Sequence, residues 1–443
     1  MRTWLRAVLF TLVAFGLVWV LKQAFPKNSG ALDFFLVFLF CDAFLWYETK
    51  QKIRRFSPQI RILLTSLYWL PLILVLAAVA YGFFSTYYFW STFVKTYLTS
   101  FVLVAYLSKS IPILFALVGI GMRAIALRFR SRTGPLSRAG RISGNLFIAG
   151  WISGLILFTA LMAGMLFGGR TLRIREENIP LRDLPGAFHG LRIVHISDLH
   201  LGNWNSREAL IRDIEQINSL SPDLVFITGD LCDYCTADAI PFKSILEGIR
   251  AKEGIYFVMG NHDYGDYMTW PSPEEKAGNL HQLVDFTREL GWKLLRNEHD
   301  IIRRGTDSIV IAGVENWGSI RRFQRLADLS RALKGVEQVP TTLLLSHDPT
   351  YWDSVVSNQF PGTDITFSGH THGGQIGFEC DEWGWSIVRP LYPHWAGLYS
   401  LSSGEPPYLY VNRGLGNIGY AGRIGIWREI TLVVAEGLST AEN

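Results

Sequence analysis

The chain contains little cysteine, and its first 169 residues contain almost no acidic residue and no histidine. Four cysteines in 443 residues exclude a small scaffold that disulfides hold together. Residues 1–169 hold 17 Lys and Arg but only three Asp and Glu, so 25 of the 42 basic and 35 of the 38 acidic residues follow. All ten histidines lie beyond residue 188. The net charge of +4 is therefore a cancellation between two unlike parts, and imidazole chemistry belongs to the acidic one.

The basic part is also the apolar part, which argues against a nucleic-acid partner and favours a membrane. Five segments approach the roughly 20 apolar residues that cross a bilayer: 5–21, 31–47, 62–84, 99–122 and 146–167. The first follows Arg2 and Arg6, as in a signal peptide, but no small-residue cleavage site comes after it, and we interpret it as a helix. The second carries Asp33 and Asp42, so an interfacial hairpin is its alternative.

Basic residues near helix ends resist translocation and predict the orientation of these segments. Five of them lie between the second and third segments and six between the fourth and fifth, whereas the other two loops hold two and one. We expect the two basic loops in the cytoplasm and the acidic part in the periplasm or outside the cell. Arg170, Arg173 and Arg175, after the fifth segment, argue weakly for the opposite side. The sequence thus predicts a multi-pass protein of the inner (plasma) membrane.

Two charged residues, Asp42 and Lys109, lie inside the apolar segments, where an unpaired charge is costly. One interpretation is a structural Lys109–Asp42 pair or a lysine that reaches the interface. A proton or ion path is the alternative, but two charges over five spans are few for a pump. We therefore expect an anchor or a platform for a lipid substrate.

From residue 191 onward, short β-branched runs alternate with helical patterns. We predict strands at 192–197, 224–228, 255–259, 309–314, 342–346 and 365–368, and helices at 207–220, 239–250, 273–290, 320–333 and 349–356. This alternation predicts an α/β domain of packed sheets with helices outside them. We expect a transmembrane helical domain at 1–169, a linker at 170–190, the α/β domain at 191–436 and a tail at 437–443.

Polar blocks follow five of the predicted strands, and carboxyl ends of such strands converge on one edge. The blocks are Asp198-Leu199-His200, Gly229-Asp230, Gly260-Asn261-His262-Asp263, Ser346-His347 and Gly369-His370-Thr371-His372. Carboxylate, amide and imidazole donors suit Mn, Fe, Zn or similar dications. Two such cations, about 3.5–4 Å apart, would clamp a phosphoryl group and lower the pKa of a water for in-line attack. The blocks therefore predict a site for two divalent metal ions.

The block order DxH, GD, GNH[DE], H and GHxH resembles the calcineurin-like metallophosphoesterases over about residues 191–434. The resemblance implies an αββα sandwich of two mixed sheets and two ligand sets that share one carboxylate. Asp198, His200, Asp230 and His372 would bind one cation, and Asp230, Asn261, His347 and His370 the other. His262 is implied beside the phosphate, where it stabilises charge or protonates the leaving oxygen, with Asp263 orienting it.

The GHTHGGQ block and the late stretch 412–416 resemble a membrane-associated bacterial branch with small phosphodiesterases and lipid-directed pyrophosphatases. Glu315-Asn316 and Arg428-Glu429 depart from that branch, which often has an acidic pair and Pro-Glu there. The UDP-diacylglucosamine hydrolase of lipid A synthesis is similar too, but it has arginine where this chain has His262.

Two further groups of residues leave alternatives open. Cys232 and Cys235 form a C-x-x-C pair without a second pair for a zinc ribbon, so they are a disulfide in an outer compartment or ordinary side chains in the cytoplasm. Aromatic residues crowd the loops after two blocks: Tyr264, Tyr267, Trp270, Phe378, Trp383, Trp385, Tyr392, Trp395 and Tyr399. They indicate either packing at the rim or lipid interface, or a groove for a lipophilic substrate.

We predict a membrane-anchored, binuclear metal-dependent phosphohydrolase that cleaves a phosphoester or phosphoanhydride, with a lipid-linked or envelope substrate favoured. We expect the protein to contact membrane lipid. We expect no nucleic acid to bind, and no obligate protein partner is evident. A cytoplasm-facing UDP-diacylglucosamine pyrophosphatase is one alternative. A non-catalytic scaffold of the same fold would be expected to lose ligands, and a transporter or sensor would need polar residues along several spans.

Overall fold

The computed structural model describes residues 16, 18–20, 22, 29–128, 135–318, 324–380, 383–402 and 405–437. The chain divides into two compact units, Met1–Ala163 and Gly164–Asn443. The first predicted apolar segment, 5–21, lies almost wholly outside the described residues.

Long helices build the first unit, and the last of them continues to Leu166, just inside the second unit. They are α1 (Ser29–Ile53), α2 (Pro58–Gly82), α3 (Thr99–Arg128, extended at its start by a π-turn at Val94–Leu98) and α4 (Pro135–Leu166). Among the described residues, three stretches are long and apolar enough to cross a membrane: Pro58–Gly82, Val94–Leu127 and Ala139–Arg170. Helix α1, which carries two aspartates and a glutamate, is not one of them. The chain is thus a membrane protein, while the total of five spans stays a prediction.

The two charged residues inside the apolar segments form an ion pair in the first unit. Lys109 Nζ lies 2.7 Å from Asp42 Oδ1 and donates to the carbonyl oxygen of Tyr68 at 2.9 Å. Tyr106 donates its hydroxyl to the other oxygen of Asp42 at 2.8 Å. Asp42 and Lys109 are both buried. The predicted pair is confirmed, and its four-residue hydrogen-bond network fits the structural interpretation.

The strands of the second unit are β1 (Leu172–Leu181), β2 (Leu191–Ile196), β3 (Leu224–Thr228), β4 (Gly254–Val258), β5 (Lys293–Leu294), β6 (Glu298–Arg304), β7 (Asp307–Gly313), β8 (Thr342–Leu345), β9 (Ile365–Ser368), β10 (Gly377–Cys380), β11 (Trp383–Ser386), β12 (Gly397–Ser402), β13 (Glu405–Val411) and β14 (Arg428–Gly437).

Two six-stranded mixed sheets form the second unit. The first has the order β1-β14-β2-β3-β4-β5, and the second has the order β12-β13-β9-β8-β7-β6. In the first sheet, β14 is antiparallel to β2, whereas β2 to β5 run parallel. In the second, β13, β9, β8 and β7 run parallel between the antiparallel edge strands β12 and β6. A separate antiparallel hairpin pairs β10 with β11.

The helices of the second unit are α5 (Arg207–Ser219), α6 (Lys243–Leu246), α7 (Pro273–Glu289), α8 (Leu329–Ala332) and α9 (Ser357–Gln359).

The hydrophobic core has three layers, as expected for a sandwich with helices outside. Side chains such as Ile193, Phe226, Leu343 and Phe367 fill the space between the two sheets. A second cluster packs α5 and α7 onto the outer face of the first sheet. A third packs α8 and the π-turn Trp352–Val356 onto the outer face of the second. The predicted αββα architecture is confirmed.

Several local predictions differ from the structure. Residues 172–181, which fall in the predicted linker, form β1 and pair with β14, because their alternating side chains half-bury one face of the strand. The predicted helix 239–250 is instead a short 3-10 turn at Ile240–Phe242 followed directly by α6, which ends at Leu246, just before Gly248. In the predicted helix 320–333, residues 319–323 are outside the described set, and α8 covers only the end.

Candidate metal centre

Five loops at the carboxyl ends of strands carry the polar blocks. They follow β2, β3 and β4 in the first sheet, and β8 and β9 in the second. Their side chains converge: every residue that the sequence assigns to the metals lies in one of two contacting groups or hydrogen-bonds to a member of one. The two sheets therefore contribute ligands to a shared edge, as expected for strands of this kind.

The first group consists of Asp198, His200 and His372, all buried, with candidate ligand atoms within 4.8 Å of one another. His372 Nε2 lies 3.4 Å from Asp198 Oδ1 and 3.0 Å from His200 Nε2. Two ring nitrogens that face each other beside a carboxylate are suited to share a cation.

The second group consists of Asp230, His347 and His370, again within 4.8 Å. His347 Nε2 lies 3.3 Å from Asp230 Oδ2, 3.1 Å from His370 Nδ1 and 3.2 Å from the amide oxygen of Asn261. Asp230 Oδ2 also lies 3.6 Å from His200 Nε2 of the first group. One carboxylate is thus within reach of both groups, which is the arrangement that a pair of cations needs.

Five of the donor residues have strained backbone conformations. Their φ angles are positive, between 45° and 70°, a region that residues other than glycine seldom adopt. The five are Asp198, His200, Asp230, His370 and His372. Gly369 precedes two of them, and a Cβ there would lie 1.8 Å from the hydroxyl oxygen of Ser197. Strain of this kind persists only where surrounding contacts enforce it, and it clusters at functional sites.

Burial shapes the electrostatics of the donors. Desolvation raises the pKa of Asp198, and the neighbouring Asp230 adds to that rise. Burial opposes the charged form of His347, yet the carboxylate of Asp230 raises the pKa of His347 to about 10. Carboxylates this deeply buried require positive charge beside them, from imidazolium or from cations. The donor set and its charge therefore fit divalent metal ions.

His262 lies beside one member of each group, Asp230 and His200. Its ring Nδ1 contacts the carbonyl oxygen of Asp233 at 2.6 Å, and its backbone N–H donates to Asp230 at 2.9 Å. The ring stacks on Tyr267 with centroids 3.9 Å apart and 12° between the planes. Burial lowers the pKa of His262 to about 4. Because Nδ1 is engaged, Nε2 is the ring nitrogen left to meet a ligand.

Asp263 has a different place from the one expected. The family resemblance implies that Asp263 orients His262, but the Asp263 carboxylate accepts backbone N–H groups of Asp230, Gly260 and Cys232 at 2.9, 2.9 and 3.0 Å. Burial raises the pKa of Asp263 to about 7, with Asp230 contributing. The carbonyl of Asp233, rather than Asp263, is the contact that fixes the imidazole of His262.

The late stretch 412–416 supports the first loop of the centre. Leu415 and Gly416 donate backbone N–H groups to the carbonyl oxygens of Ser197 and Asp198, both at 2.8 Å. Arg423, fully buried, donates to the carbonyl oxygen of Gly416 at 2.7 Å. The side chain of Arg413 pairs with Glu379 and Glu429 instead of facing the site. The stretch is thus a scaffold for Asp198.

A cavity of about 310 Å³ opens onto both groups. Asp230, Asn261, His262, His370 and His372 line it on one side. Ile376, Val388, Tyr392, Ile418 and Tyr420 add a largely apolar wall. Tyr392 reaches the ligand group directly, with its hydroxyl 2.8 Å from His370 Nε2. The cavity therefore combines a charged floor with an apolar wall.

The aromatic residues that the sequence places in one group lie in different environments in the structure. Tyr267 and Tyr392 line the cavity, Tyr264 and Trp395 are buried, and Trp383 is exposed. Sequence reasoning missed the roles of Asp233, Tyr420 and Arg423. Asp233 had a signal, since it stands three residues after Asp230 in the sequence. Tyr420 and Arg423 had none, because only the fold brings residues 420–423 to the centre.

Comparison with known proteins agrees with this geometry. Residues 191–374 match the model of the family described as calcineurin-like phosphoesterase. The "Transmembrane protein with metallophosphoesterase domain" of Danio rerio is 30% identical over 288 residues, covering 63% of this chain and 61% of that protein. The protein so named in Bos taurus is 28% identical over 365 residues, covering 76% and 78%. The UDP-2,3-diacylglucosamine pyrophosphatase LpxG of Chlamydia trachomatis is 30% identical over 289 residues, covering 55% and 84%.

The chain therefore belongs to the calcineurin-like phosphoesterase family. The predicted metallophosphoesterase domain is confirmed, and family membership supports a phosphoester hydrolase that uses divalent metal ions. The matched region spans 61% of the length of the zebrafish relative.

Proposed function

We propose that this protein is a membrane-anchored, binuclear metal-dependent phosphohydrolase that cleaves a phosphoester or a phosphoanhydride. The observation that carries the proposal is the convergence of two donor groups on one carboxylate, Asp230, beside His262 in an open cavity. A protein that had lost its chemistry would not need so many strained ligand positions at one edge.

In this proposal the ligands divide as the family resemblance implies. Asp198, His200, Asp230 and His372 hold one cation, and Asp230, Asn261, His347 and His370 hold the other. When bound, the cations would polarise the phosphoryl group and lower the pKa of a water molecule. Asp233 and Asp263 position the loops and are not themselves ligands in this assignment.

His262 acts on the substrate. The contact between its Nδ1 and the carbonyl of Asp233 fixes the ring, so that Nε2 is available to the phosphate or to the leaving oxygen. Tyr267 stacks on one face of the His262 ring and limits the rotation of the ring. We assign charge stabilisation, and protonation of poor leaving groups, to this imidazole.

A lipid-linked or envelope phosphate is the substrate class we propose. The apolar cavity wall next to the ligands supports it, as do the apolar helices of the first unit. We further propose, from the basic loops, that the catalytic domain faces the periplasm or the cell exterior. A second candidate is hydrolysis of UDP-2,3-diacylglucosamine at the cytoplasmic face, which the similarity to LpxG favours.

The test is a hydrolysis panel with the full-length protein in detergent, supplied with Mn²⁺, Fe²⁺ or Zn²⁺. The substrates are a soluble aryl diester, an aryl monoester, a lipid pyrophosphate and UDP-2,3-diacylglucosamine. We expect metal-dependent turnover of at least one soluble ester and a higher kcat/KM on a lipid substrate. No hydrolysis of any substrate with any of the metals would contradict the proposal. A preference for UDP-2,3-diacylglucosamine would select the second candidate.

A further inference from the structure

The β10–β11 hairpin and the residues that follow it in the chain expose several large apolar side chains. Trp383 is 64% exposed, Ile387 54% and Leu391 73%, and Phe378 and Trp385 stack on the same hairpin at 40% and 41%. We call these five residues the apolar hairpin face. The exposed Arg389 lies within the same stretch. A soluble domain seldom exposes such a group of large apolar residues unless it meets a partner.

This hairpin is fastened to the segment 420–425. The backbone N–H of Gly377, the first residue of β10, donates to the carbonyl oxygen of Ile424 at 2.9 Å. Just before the hairpin, the side chain of Gln375 donates to the carbonyl oxygens of Tyr420 and Gly422 at 2.6 and 2.9 Å. The position of the hairpin is therefore tied to that of the segment.

The same segment packs on residues 164–168, where the chain leaves its last apolar stretch. These residues belong to the second compact unit. The backbone N–H of Arg423 donates to the carbonyl oxygen of Gly164 at 3.2 Å. A Cβ on Gly168 would lie 1.8 Å from the carbonyl oxygen of Arg423, so only glycine permits this approach.

We propose that the apolar hairpin face lies on the surface of the lipid bilayer and inserts its side chains among the headgroups. The last apolar stretch reaches residue 170, so residues packed on 164–168 lie close to the membrane surface. Trp, Phe and Leu are the side chains that partition there, and the exposed Arg170, Arg173 and Arg389 would meet lipid phosphates.

The face also continues into the cavity. Val388 lies within the stretch that bears Ile387 and Leu391 and lines the apolar wall, as does Ile376 immediately before β10. This consequence rests on the proposed function: a phosphate carried by a lipid could pass from the bilayer along one continuous apolar surface to the ligands. The proposal thus explains how a membrane-anchored hydrolase reaches a substrate that stays in the bilayer.

The test places a polarity-sensitive fluorophore on Cys380, the exposed cysteine at the end of β10. The full-length chain carries Cys41→Ala and Cys235→Ser, while Cys232 is buried. It is reconstituted in vesicles of phosphatidylethanolamine and phosphatidylglycerol, with a fraction of lipid spin-labelled near the headgroup. The control label sits on Thr306→Cys in a Cys380→Ser background, in the exposed β6–β7 turn at the start of β7, the strand end opposite the ligand loops.

We expect blue-shifted emission at position 380 that the spin-labelled lipid quenches, and little quenching at position 306. Equal quenching at the two positions would overturn the proposal. A blue shift without quenching by lipid would also overturn it, because it would mean burial against protein. The measurement does not depend on hydrolysis, so it stays decisive even if the proposed function fails.

A second measurement links the face to substrate access. The double variant Trp383→Ser, Leu391→Ser should lower kcat/KM on a vesicle-embedded lipid pyrophosphate by on the order of tenfold. Its turnover of a soluble aryl diester should stay unchanged, which also shows that it folds. The matched control is Ile211→Ser, Ile240→Ser, at residues with 41% and 43% exposure outside the face. Equal effects of the two double variants on the lipid substrate would overturn the link.

Discussion

Asp263 accepts the backbone N–H of Asp230 at 2.9 Å, and with the same oxygen the N–H of Gly260 at 2.9 Å. Through this contact a residue outside the ligand set ties the loop after β3 to the loop after β4. The second oxygen accepts the N–H of Cys232, so in either orientation of Asp263→Asn the amide nitrogen would face at least one N–H donor. We predict that Mn²⁺ affinity falls about 10–100-fold, as for other residues that orient ligands.

Calorimetric titration of the variant with Mn²⁺ would measure this loss. The control is Asp300→Asn, which changes a carboxylate that bonds to Tyr256 and Lys293 away from the ligand loops. Wild-type affinity in Asp263→Asn would mean that the hydrogen bonds between Asp263 and the two loops do not affect metal binding.

Asp230→Asn should abolish turnover. The carboxylate is the only proposed ligand shared by the two sets, and a neutral amide does not replace its charge. Metal analysis of the purified variant should show loss of at least one ion per chain. A variant that keeps two ions and the wild-type rate would refute the ligand assignment.

His262→Ala should keep its metals but lose on the order of 10²–10⁴ in rate on esters with poor leaving groups. Activated aryl esters should suffer less, because their leaving oxygen needs no proton. Rates on a series of leaving groups measure the difference, and His281→Ala, on the exposed side of α7, is the control. Equal losses across the series would restrict His262 to charge stabilisation.

The Lys109–Asp42 pair should show strong coupling in stability. Removing one partner leaves the other charge buried, so Lys109→Met should destabilise the protein by about 3–5 kcal/mol. Adding Asp42→Asn should recover most of that loss. Thermal unfolding in detergent measures both, with Lys243→Met, which breaks the exposed pair with Glu289, as the control. Additive effects of the two changes would argue against the pair as a structural unit.

Much of the fold follows from local sequence patterns. The strands β2, β3, β4, β7, β8 and β9 are short apolar runs, and all of them except β7 end in polar blocks. Their predicted positions agree with the structure within two residues. Strands β1 and β14 are among those that escaped prediction, because they pair with each other from opposite ends of the domain's sequence. Residue Leu172, for instance, pairs with Arg428.

The candidate ligands were predictable for a different reason. Each is in a short block beside a strand end, so adjacency in sequence carries the signal. The residues that support them lack that adjacency: Tyr392 reaches His370, and Arg423 reaches Gly416, through loops with no regular pattern. Asp263 was found by motif, but its partners are backbone groups, which a motif does not reveal.

The side of the membrane is the last prediction. With basic loops at 50–61 and 123–141 inside and five spans, the residues from 170 onward emerge outside the cytoplasm. Alkaline phosphatase fused after Asn443 should then be active, since it needs an oxidising compartment, and green fluorescent protein fused there should be dark. A phosphatase fusion after Arg128, in the second basic loop, is the control and should be inactive. A bright fluorescent fusion with an inactive phosphatase at Asn443 would reverse the orientation. It would then favour the UDP-linked lipid precursor over an exported phosphate, because the site would face the nucleotide pool of the cytoplasm.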